Sequence, residues 1–455
     1  MNRYDVIVVG GGISGLMSAL AIGKHGNRVL VLEEQSLPGG NCNSYMVDGF
    51  QVDTGPHAIT GLTHGPLRQI INEYLDYTPV FLSYGTYFVR TSKGLTNIPS
   101  TIAEFVGFDV LPRRDRIIIS QAITKALTLT SFGVDTSAQS VYDFLPRNLS
   151  TQSIEFTDAI CYFLTGRSMR ETSVHRVLAG SNFVDDEIKK DTDHSTLTEQ
   201  LTGRITRLSR LATNRVSKSQ AYVRGGLKSF LNAVIYSMPK NVEIRTNQRV
   251  NKILTSDGIV VGVETDDESF TCDVVVYSGF AKQLPCLVDE LPGQYISNLG
   301  RIAQTKSLTA WLGLSREMPE FNYIGSEIRF QKHAYWAMPI SNYTDGLAPK
   351  GKQLIGFTFV VDETKTIESE KRRAMDTIVE AVPRIEQFIE MEHYQIATPE
   401  KASVTINGYI AENRTPVKNL YLVGTDTDRR SMGITRAGYS VLNVLKLLKN
   451  DGYLK

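Results

Sequence analysis

A glycine-rich turn between a strand and a helix constrains the fold of this chain more than any other feature. The apolar run Tyr4–Val9 is typical of a buried β-strand and leads directly into Gly10, Gly12 and Gly15. Gly10 permits a tight turn, Gly12 lets backbone N–H groups approach a pyrophosphate, and Gly15 lets the next helix lie close to the strand. The pattern predicts a nucleotide-binding βαβ unit.

The helix and the second strand of this unit point to the same ligand. The helix is expected from Ile13 to His25, with Gly26 as its stop, and Ile13 and Ser14 place its N-terminus toward the phosphates. The second strand ends at Glu33, 18 residues after the last glycine of the turn. An acid about 20 residues beyond such a turn binds a ribose hydroxyl and disfavours a 2′-phosphate. A dinucleotide without that phosphate is therefore expected.

Length and charge restrict the remaining possibilities. A chain of 455 residues exceeds the roughly 250–300 at which one hydrophobic core stops growing, so at least two domains are expected. With 49 Lys and Arg against 48 Asp and Glu, the chain has no strong net field, and nucleic acid is not an expected partner. The oligomeric state is left open.

The cysteines indicate neither a metal site nor a disulfide framework. Cys42, Cys161, Cys272 and Cys286 are scattered without C-x-x-C spacing. A reducing, cytoplasmic location is expected. Residues 6–23 lack charge, but they contain the glycines of the nucleotide turn, and no other stretch is long and apolar enough to predict a membrane span.

Segments of nucleotide-binding character are interleaved with segments of a second kind. A hairpin is expected over 252–264 around Asp257-Gly258, and a buried strand over 273–277. We predict a discontinuous nucleotide-binding domain, and it comprises residues 1–60, 222–289 and 396–455.

The intervening segments predict a substrate domain of residues 61–221 and 290–395. Residues 100–220 are expected to be mostly helical. Strands of a second sheet are predicted over 308–314, 334–338 and 353–361. A helix is expected over 368–389, and it is expected to end before a turn at Pro399.

A plain nucleotide domain needs neither of two loops that follow Glu33. The first is Pro38-Gly39-Gly40-Asn41, and the second runs from Asp48 to Asp53-Thr54-Gly55-Pro56-His57. With the glycine turn, these loops resemble the flavoproteins of the phytoene desaturase group within the amine oxidase superfamily. The resemblance implies an α/β two-domain fold with an FAD-binding Rossmann-type (GR2-like) domain and a substrate domain of mixed sheet and helices. It also implies which loop residues lie beside the flavin, namely Gly40, Asn41, Gly55, Pro56 and His57.

The C-terminal segment resembles the second FAD segment of the same group. A strand leads to Gly424, Thr425 and Asp426, and a helix begins near Gly433 and Ile434. The resemblance implies that the strand delivers the ribityl chain. It also implies that the helix N-terminus points at the N1/O2 edge of the flavin, where its dipole favours negative charge.

Further matches are accompanied by departures from the family pattern. The turn at Val250 matches the place where the family's backbone meets the adenine, and residues 224–234 and 346–352 also match. The family usually has Arg where this chain has Asn41, and many relatives have Asp where it has Thr425. FAD binding remains expected, whereas the identity of the substrate is left open.

Few side chains suggest a catalytic role. His57, on the predicted flavin loop, is either a group that handles a proton or an ordinary loop histidine. Arg429, Arg430 and Arg436 lie near the predicted flavin helix and are expected to be exposed, while Cys42 is expected to be a small buried residue. No Ser-His-Asp order, metal cluster or carboxylate pair is evident, so the flavin is expected to carry the chemistry.

The resemblance implies an FAD-dependent oxidoreductase that acts on C–C bonds of an apolar, isoprenoid- or carotenoid-like small molecule. Desaturation, saturation and isomerisation are open, with a hydride exchanged at flavin N5. The first alternative is an FAD-dependent amine oxidase, in which Tyr409 and Tyr439 would flank the flavin. The second is a non-enzymatic prenyl-binding protein similar to the Rab GDP-dissociation inhibitors, although the intact nucleotide turn argues against it. UDP-galactopyranose mutase is a weaker match because the C-terminal third does not fit.

Peripheral membrane contact is a further expectation, because relatives draw such substrates from membranes. The candidate surfaces are residues 101–134 and the basic stretch 204–228. The alternative interpretation of the basic stretch is a solvated charged face.

Overall fold

The structure is a computed structural model that describes residues 3–55, 58–63, 65–180 and 220–454, without the side chains of 398–403. The helices of this part of the chain are α1 Ile13–Lys24, α2 Pro66–Tyr74, α3 Ile102–Gly107, α4 Arg113–Ser131, α5 Val141–Phe144, α6 Thr151–Thr165, α7 Val174–Gly180, α8 Leu227–Tyr236, α9 Gly293–Gly300, α10 Ile367–Ala381 and α11 Gly433–Asn450. The strands are β1 Arg3–Val9, β2 Val29–Leu32, β3 Ser44–Val47, β4 Phe50–Asp53, β5 Phe81–Ser83, β6 Thr86–Thr91, β7 Gly94–Asn97, β8 Ala221–Val223, β9 Val242–Arg245, β10 Val250–Ser256, β11 Ile259–Thr265, β12 Ser269–Tyr277, β13 Ala303–Leu314, β14 Gly325–Arg329, β15 Tyr335–Met338, β16 Gln353–Val360, β17 Ile389–Ser403 and β18 Leu420–Leu422.

The first sheet is a parallel sheet extended by an antiparallel hairpin. Its order is β10-β11-β12-β1-β2-β9, and β18 pairs with the end of β12. Strands β9, β2, β1, β12 and β18 are parallel to one another. Along β1, Val6 and Val8 face one core cluster while Ile7 and Val9 face another, so both faces of the sheet are covered. The expected βαβ unit and the 252–264 hairpin are confirmed.

The second sheet is mixed, in the order β17-β13-β16-β15-β14-β6-β7. Helix α10 covers one face, because Ala374 and Ile378, four residues apart, pack among strand residues such as Leu308 and Phe357. The opposite face packs toward the first 60 residues through a cluster that contains Trp311 and Phe50. The strands predicted over 308–314, 334–338 and 353–361 are confirmed.

Helices α3 to α7 form a layer beside β6 and β14. Thr101 is the N-cap residue of α3, and its hydroxyl accepts a hydrogen bond from the Glu104 N–H at 3.1 Å. Ser140 and Ser150 cap α5 and α6 in the same way. Phe108 and Phe156 lie 5.5 Å apart in the core between this layer and the sheet. The expectation of a helical region is confirmed for residues 102–180; residues 181–219 lie outside the described part.

The prediction of one helix over 368–389 is wrong in its last third. Helix α10 ends at Ala381, a 3-10 turn covers Ile385–Phe388, and β17 begins at Ile389. Pro383 explains the early end, because proline cannot donate to the helix and disfavours helical geometry at the residue before it. Val382 accordingly has φ −140°.

The turn predicted at Pro399 is also wrong. Residues 389–403 form one long strand at the edge of the second sheet, and its register with β13 shifts between Ala397 and Lys401. An edge position and an irregular register are the two places where a strand tolerates a residue that cannot donate a hydrogen bond. The division of the chain into the two domains stays a prediction.

Candidate functional site

The glycine turn connects β1 to α1 at the carboxyl edge of the first sheet. A Cβ on Gly15 would lie 2.2 Å from the carbonyl oxygen of Gly10, so only glycine lets the helix pack this closely. A Cβ on Gly12 would meet no atom within 4 Å, and Gly12 is the N-terminal cap of α1. The backbone at Gly12 therefore borders open space at a helix N-terminus, which is the geometry that accepts a pyrophosphate.

Glu33 lies directly beside this turn. Its Oε2 accepts a hydrogen bond from the Gly11 N–H at 2.6 Å, and its Oε1 accepts one from the Gln35 N–H at 2.8 Å. Two backbone donors hold the carboxylate in place at the end of β2. Its position beside the turn is where a ribose hydroxyl is expected in folds of this kind.

The two predicted flavin loops pack against the turn and against each other. The Gly39 N–H donates to the Gly11 carbonyl at 2.8 Å, so the Pro-Gly-Gly loop is tied to the turn. A Cβ on Gly55 would lie 2.2 Å from the Asn41 carbonyl oxygen. Gly40 and Asn41 are exposed on the surface of this loop. Pro56 and His57 lie outside the described residues.

Asp53 joins the second loop to the segment that resembles the family around residue 225. It is completely buried, and its carboxylate accepts hydrogen bonds from the Ser44 hydroxyl at 2.5 Å, the Tyr222 hydroxyl at 2.8 Å and the Leu227 N–H at 3.2 Å. Burial and the neighbouring Asp53 raise the pKa of the Tyr222 phenol, which stays protonated as a donor. Two motifs that are far apart in the sequence thus meet at one carboxylate.

The C-terminal segment reaches the same edge of the sheet. Strand β18 pairs with β12 and ends just before Gly424, whose N–H donates to the Ser440 hydroxyl at 3.0 Å. Helix α11 begins at Gly433, and Ile434 is buried in its first turn. Thr425 opens a short 3-10 turn in the same loop. The structure therefore brings the predicted segments 10–15, 39–41 and 424–434 to the sheet that carries the glycine turn.

Asp426 is buried and turned toward a neighbouring loop. Its carboxylate accepts a hydrogen bond from the Ala281 N–H at 2.8 Å, which ties the loop after β18 to the loop after β12. Burial raises the pKa of this carboxyl group, while the Ala281 N–H and Arg436 act in the opposite direction. The Val250 position is likewise tied to the nucleotide side, because the Gln248 N–H just before it donates to the Glu33 carbonyl at 2.8 Å.

The arginines near α11 do not all behave as expected. Arg429 is exposed, as predicted, but Arg436 is only 4% exposed, so the expectation of a surface position is wrong for it. Its guanidinium donates to the Ser431 carbonyl at 2.6 Å, which makes burial of the charge tolerable. Arg430 is partly buried, pairs with Asp428 at 2.6 Å and lies 3.9 Å over the Tyr439 ring.

Sequence reasoning missed Ser278. It follows β12 beside the glycine turn, and its buried hydroxyl has no hydrogen-bond partner among the described residues. A Cβ on Gly15 would approach this hydroxyl to 3.0 Å. The signal was present, because a polar residue at the end of a parallel strand faces the ligand edge of the sheet. The hydroxyl packs between the end of β12 and Gly15 and marks how closely α1 approaches this strand. Cys42, in contrast, is buried as expected, and burial raises the pKa of its thiol.

A cavity of about 1540 Å³ opens between the helical layer, the second sheet and the start of α11. It exceeds the roughly 300–1,000 Å³ of ordinary small-molecule sites. The larger part of its surface is apolar, and polar side chains such as Thr96, Asn97 and Gln220 form the rest; among its apolar residues are Leu95, Ile98, Phe105, Phe108, Ile119, Ile123, Phe144, Phe156, Ile160, Phe163 and Leu164. At one end it reaches Thr60, Met432, Thr435 and Tyr439, next to the N-terminus of α11. No sequence pattern locates this cavity.

Neither a metal cluster nor a membrane-spanning helix is found in the described part of the chain. No group of three or more His, Cys, Asp or Glu side chains that could hold a metal ion occurs there. None of the helices described is long and apolar enough to cross a bilayer.

Comparison with known structures identifies the class of this fold. A crystal structure of an oxidoreductase from Methanosarcina mazei superposes with a TM-score of 0.73, at 19% identity, over 97% of this chain and 100% of that one. A putrescine oxidase variant superposes with a TM-score of 0.70, at 13% identity, over 99% of this chain and 100% of that one. At these identities the likeness concerns the fold alone.

The family follows from the sequence match. The model of the flavin containing amine oxidoreductases matches residues 13–437, so the chain belongs to this family. It is an FAD-dependent oxidoreductase of the amine oxidase superfamily, as the resemblance implied.

Relatives with curated sequences match over shorter stretches. An uncharacterized protein in the nifH2 3′ region of Methanothermococcus thermolithotrophicus is 52% identical over 101 residues, which is 22% of this chain and 97% of that protein. All-trans-retinol 13,14-reductase of Rattus norvegicus is 34% identical over 103 residues, 22% of this chain and 17% of the relative. Prolycopene isomerase 2 of an Oncidium hybrid cultivar is 38% identical over 75 residues, 16% of this chain and 13% of the relative.

Proposed function

We propose that this chain uses FAD to desaturate, saturate or isomerise C–C bonds of an apolar, isoprenoid-like substrate. The observation that carries the proposal is the large, apolar cavity that ends against the first turn of α11. This is the helix whose N-terminus is expected to point at the flavin. A large cavity with a mostly apolar surface at that place suits an uncharged substrate with few hydrogen-bonding groups.

Two relatives support the substrate class. The names all-trans-retinol 13,14-reductase and prolycopene isomerase both describe changes at the double bonds of isoprenoid chains. The alignments cover only 17% and 13% of those proteins, so they support the chemistry of the class and not a particular substrate.

The chain's own residues would bind the cofactor and exclude water. Bound FAD supplies the two-electron chemistry, in which a hydride is taken from or returned to the substrate. The glycine turn at Gly12 would accept the pyrophosphate, and Glu33 would bind the ribose. The N-terminus of α11 favours negative charge near Gly433. Aliphatic and aromatic side chains of α4 and α6 would keep the substrate dry.

An FAD-dependent amine oxidase is the alternative, because the family carries that name and a putrescine oxidase shares the fold. The aromatic pair expected for that activity speaks against it. Tyr439 lines the cavity, but Tyr409 packs against the core of the first sheet beside Tyr295. The guanidinium of Arg430 lies over the Tyr439 ring, so one face of this ring is already covered.

The two functions differ in what reoxidises or reduces the flavin. The FAD-loaded protein is reduced without oxygen and then mixed with all-trans-retinol or with a lycopene isomer, and the return of the oxidised flavin spectrum is followed together with the product. We expect saturation of a polyene double bond to return the flavin to its oxidised spectrum, whereas isomerisation, which transfers no net electrons, should change the polyene and leave the flavin reduced. Reduction of the oxidised protein by an amine panel, with peroxide release in air and no reaction of polyenes, would establish the alternative.

We further propose that residues 101–134 contact a membrane surface. Val106, Ile117, Phe132 and Val134 are exposed on this segment, and Phe132 is 65% exposed. Exposed cations of the same segment, such as Arg113, would favour anionic lipid. Most of the basic stretch 204–228, residues 204–219, lies outside the described part.

Sedimentation with vesicles tests this contact. The protein is expected to sediment with phosphatidylserine-containing vesicles at low salt, and the double variant Ile117→Glu with Phe132→Glu is expected to stay in solution. The variant Tyr236→Phe, on the exposed side of α8, is the control. Equal sedimentation of all three proteins with neutral vesicles, or none with anionic vesicles, would remove the proposal.

A further inference from the structure

The cavity wall contains a pair of hydrogen-bonded polar side chains, Tyr87 and Gln220, that can each make a further hydrogen bond. The Tyr87 hydroxyl donates to Gln220 Oε1 at 2.8 Å. Gln220 Nε2 makes no hydrogen bond to any of the residues described, and the oxygen of Tyr87 can still accept one. The pair therefore offers one free donor group and one free acceptor.

The other polar groups nearby are already satisfied. The Thr435 hydroxyl donates to the Thr60 carbonyl at 2.8 Å, and the hydroxyls of Thr60 and Thr435 lie 3.1 Å apart. The Tyr84 hydroxyl is paired with Ser326. The Thr157 hydroxyl donates to the Ser153 carbonyl at 2.8 Å. These hydroxyls are already paired within the protein, whereas Gln220 Nε2 has its donor capacity left for a ligand.

The pair is held rigidly. The Tyr87 ring lies 5.2 Å from the Tyr84 ring and 5.6 Å from the Phe163 ring. The Gln220 carbonyl accepts a hydrogen bond from the Tyr84 N–H at 3.1 Å. Burial raises the pKa of the Tyr87 phenol well above its ordinary value, so the hydroxyl remains protonated at neutral pH.

The pair also lies on the flavin side of the cavity. Ala221, next to Gln220, exchanges two backbone hydrogen bonds of 2.9 Å with Ile59. Ile59 and the neighbouring wall residues Ala58 and Thr60 follow the predicted flavin loop at Gly55. A substrate group bound at Gln220 would therefore be near the part of the substrate that reacts with the flavin.

We infer that Tyr87 and Gln220 select an apolar substrate that carries a hydroxyl group. A hydroxyl accepts from Gln220 Nε2 and donates to the Tyr87 oxygen, and it thereby uses both free positions of the pair. An ether uses only the donor, and a hydrocarbon uses neither. The inference rests on the proposed function for the identity of the cavity as the substrate site.

Three matched probes test this selection: farnesol, farnesyl methyl ether and the hydrocarbon in which hydrogen replaces the hydroxyl. Their dissociation constants for the FAD-loaded protein are measured by equilibrium dialysis with labelled ligand. Each neutral hydrogen bond corresponds to roughly a 2- to 10-fold change in affinity. Gln220→Leu should weaken the binding of farnesol and of the ether by that factor and leave the affinity for the hydrocarbon unchanged. Tyr87→Phe should weaken farnesol alone.

The control variant is Tyr236→Phe, whose side chain is 68% exposed on α8 and outside the cavity wall. It should leave all three affinities unchanged. Equal losses for the three probes in Gln220→Leu, or no loss for farnesol, would overturn the inference. Failure of the proposed function is separate, because it would show as an absence of polyene reaction in protein that still distinguishes farnesol from the hydrocarbon.

Discussion

The nucleotide turn and the cavity are built in opposite ways. At the turn and the adjoining loop, three glycines matter because they have no side chain. At Gly15 and Gly55 another backbone segment occupies the place of a Cβ, and at Gly12 the backbone faces open space. The cavity is formed by side chains from strands and helices that are far apart in the sequence. A site made of backbone tolerates few residue types and leaves a pattern in the sequence. A site made of apolar side chains tolerates many and leaves none.

The largest effect is expected at a buried ion pair within the second sheet. Arg90 on β6 donates to Glu327 on β14, with Nε to Oε1 at 2.5 Å, and both side chains are almost completely buried. The hydroxyls of Tyr323 and Tyr335 also donate to Glu327, each at 2.9 Å. Arg90→Met should lower the free energy of unfolding by about 3–5 kcal/mol, because it leaves a buried carboxylate without its cation. Urea unfolding measures this.

The double variant Arg90→Met with Glu327→Leu should recover part of the loss, since it removes both charges but leaves the Tyr323 and Tyr335 hydroxyls without their acceptor. The exposed pair Lys332 and Glu380 provides the control, and Lys332→Met should not move the unfolding midpoint. A double variant that is as unstable as Arg90→Met would contradict the assignment of the loss to the unpaired carboxylate of Glu327.

Next in size are two glycine substitutions that separate packing from cofactor binding. Gly15→Val places side-chain atoms against the Gly10 carbonyl and should cost about 3 kcal/mol of stability or more. A Cβ on Gly12 meets no protein atom within 4 Å, so the apoprotein with Gly12→Val should keep its stability within about 1 kcal/mol. The same Gly12→Val variant should bind FAD about 100-fold more weakly, equivalent to about 2.8 kcal/mol.

Thermal unfolding of the apoproteins and titration with FAD distinguish these outcomes. Gly300→Ala is a suitable control, because a Cβ there meets nothing within 4 Å and the residue lies far along the chain from the turn. Undiminished FAD affinity in Gly12→Val would contradict the assignment of this turn to the pyrophosphate.

A smaller effect is expected at Asp426, where the two loops of the nucleotide side meet. Asp426→Ala leaves the Ala281 N–H without its partner and should cost about 1–3 kcal/mol. Asp426→Asn keeps an acceptor and removes the buried charge, so it should be at least as stable as the wild type at neutral pH.

The pH dependence has a definite sign. Burial raises the pKa of Asp426 in the folded protein, so the folded state binds the proton more tightly than the unfolded state does. The stability from this group is fully present below the ordinary aspartate pKa of about 3.9 and is lost as pH rises through the raised value. Asp426→Asn should lack this decline. A wild-type stability that rises over the same pH range relative to the variant would show the opposite shift.

The parts predictable from the sequence are those that local pattern determines. The βαβ unit, the hairpin around Asp257 and the strands of the second sheet follow from hydrophobic periodicity and turn residues. The predicted end of the helix over 368–389 is wrong because the helical spacing of apolar residues continues beyond Pro383, whereas the proline prevents the backbone from continuing as a helix. Burial of Arg436 was not predictable, since it depends on the carbonyl of Ser431, which only the folded loop presents.

The cavity and its polar pair required the structure for a different reason. Tyr87 and Gln220 are separated by more than a hundred residues, and nothing in their surroundings marks either as functional. Only the pairing of β6 with the second sheet and of Ala221 with Ile59 brings them to one wall. Asp53 and Tyr222 meet in the same way.

The central claim is that FAD, held by the glycine turn, borders the apolar cavity. The most direct test is the visible absorption spectrum of the FAD-loaded protein during titration with the farnesyl hydrocarbon, which is transparent in that range. The account predicts that the bound flavin bands shift and saturate, because an apolar molecule displaces water beside the ring. Hydrocarbon that binds in dialysis while the flavin spectrum stays unchanged would contradict it.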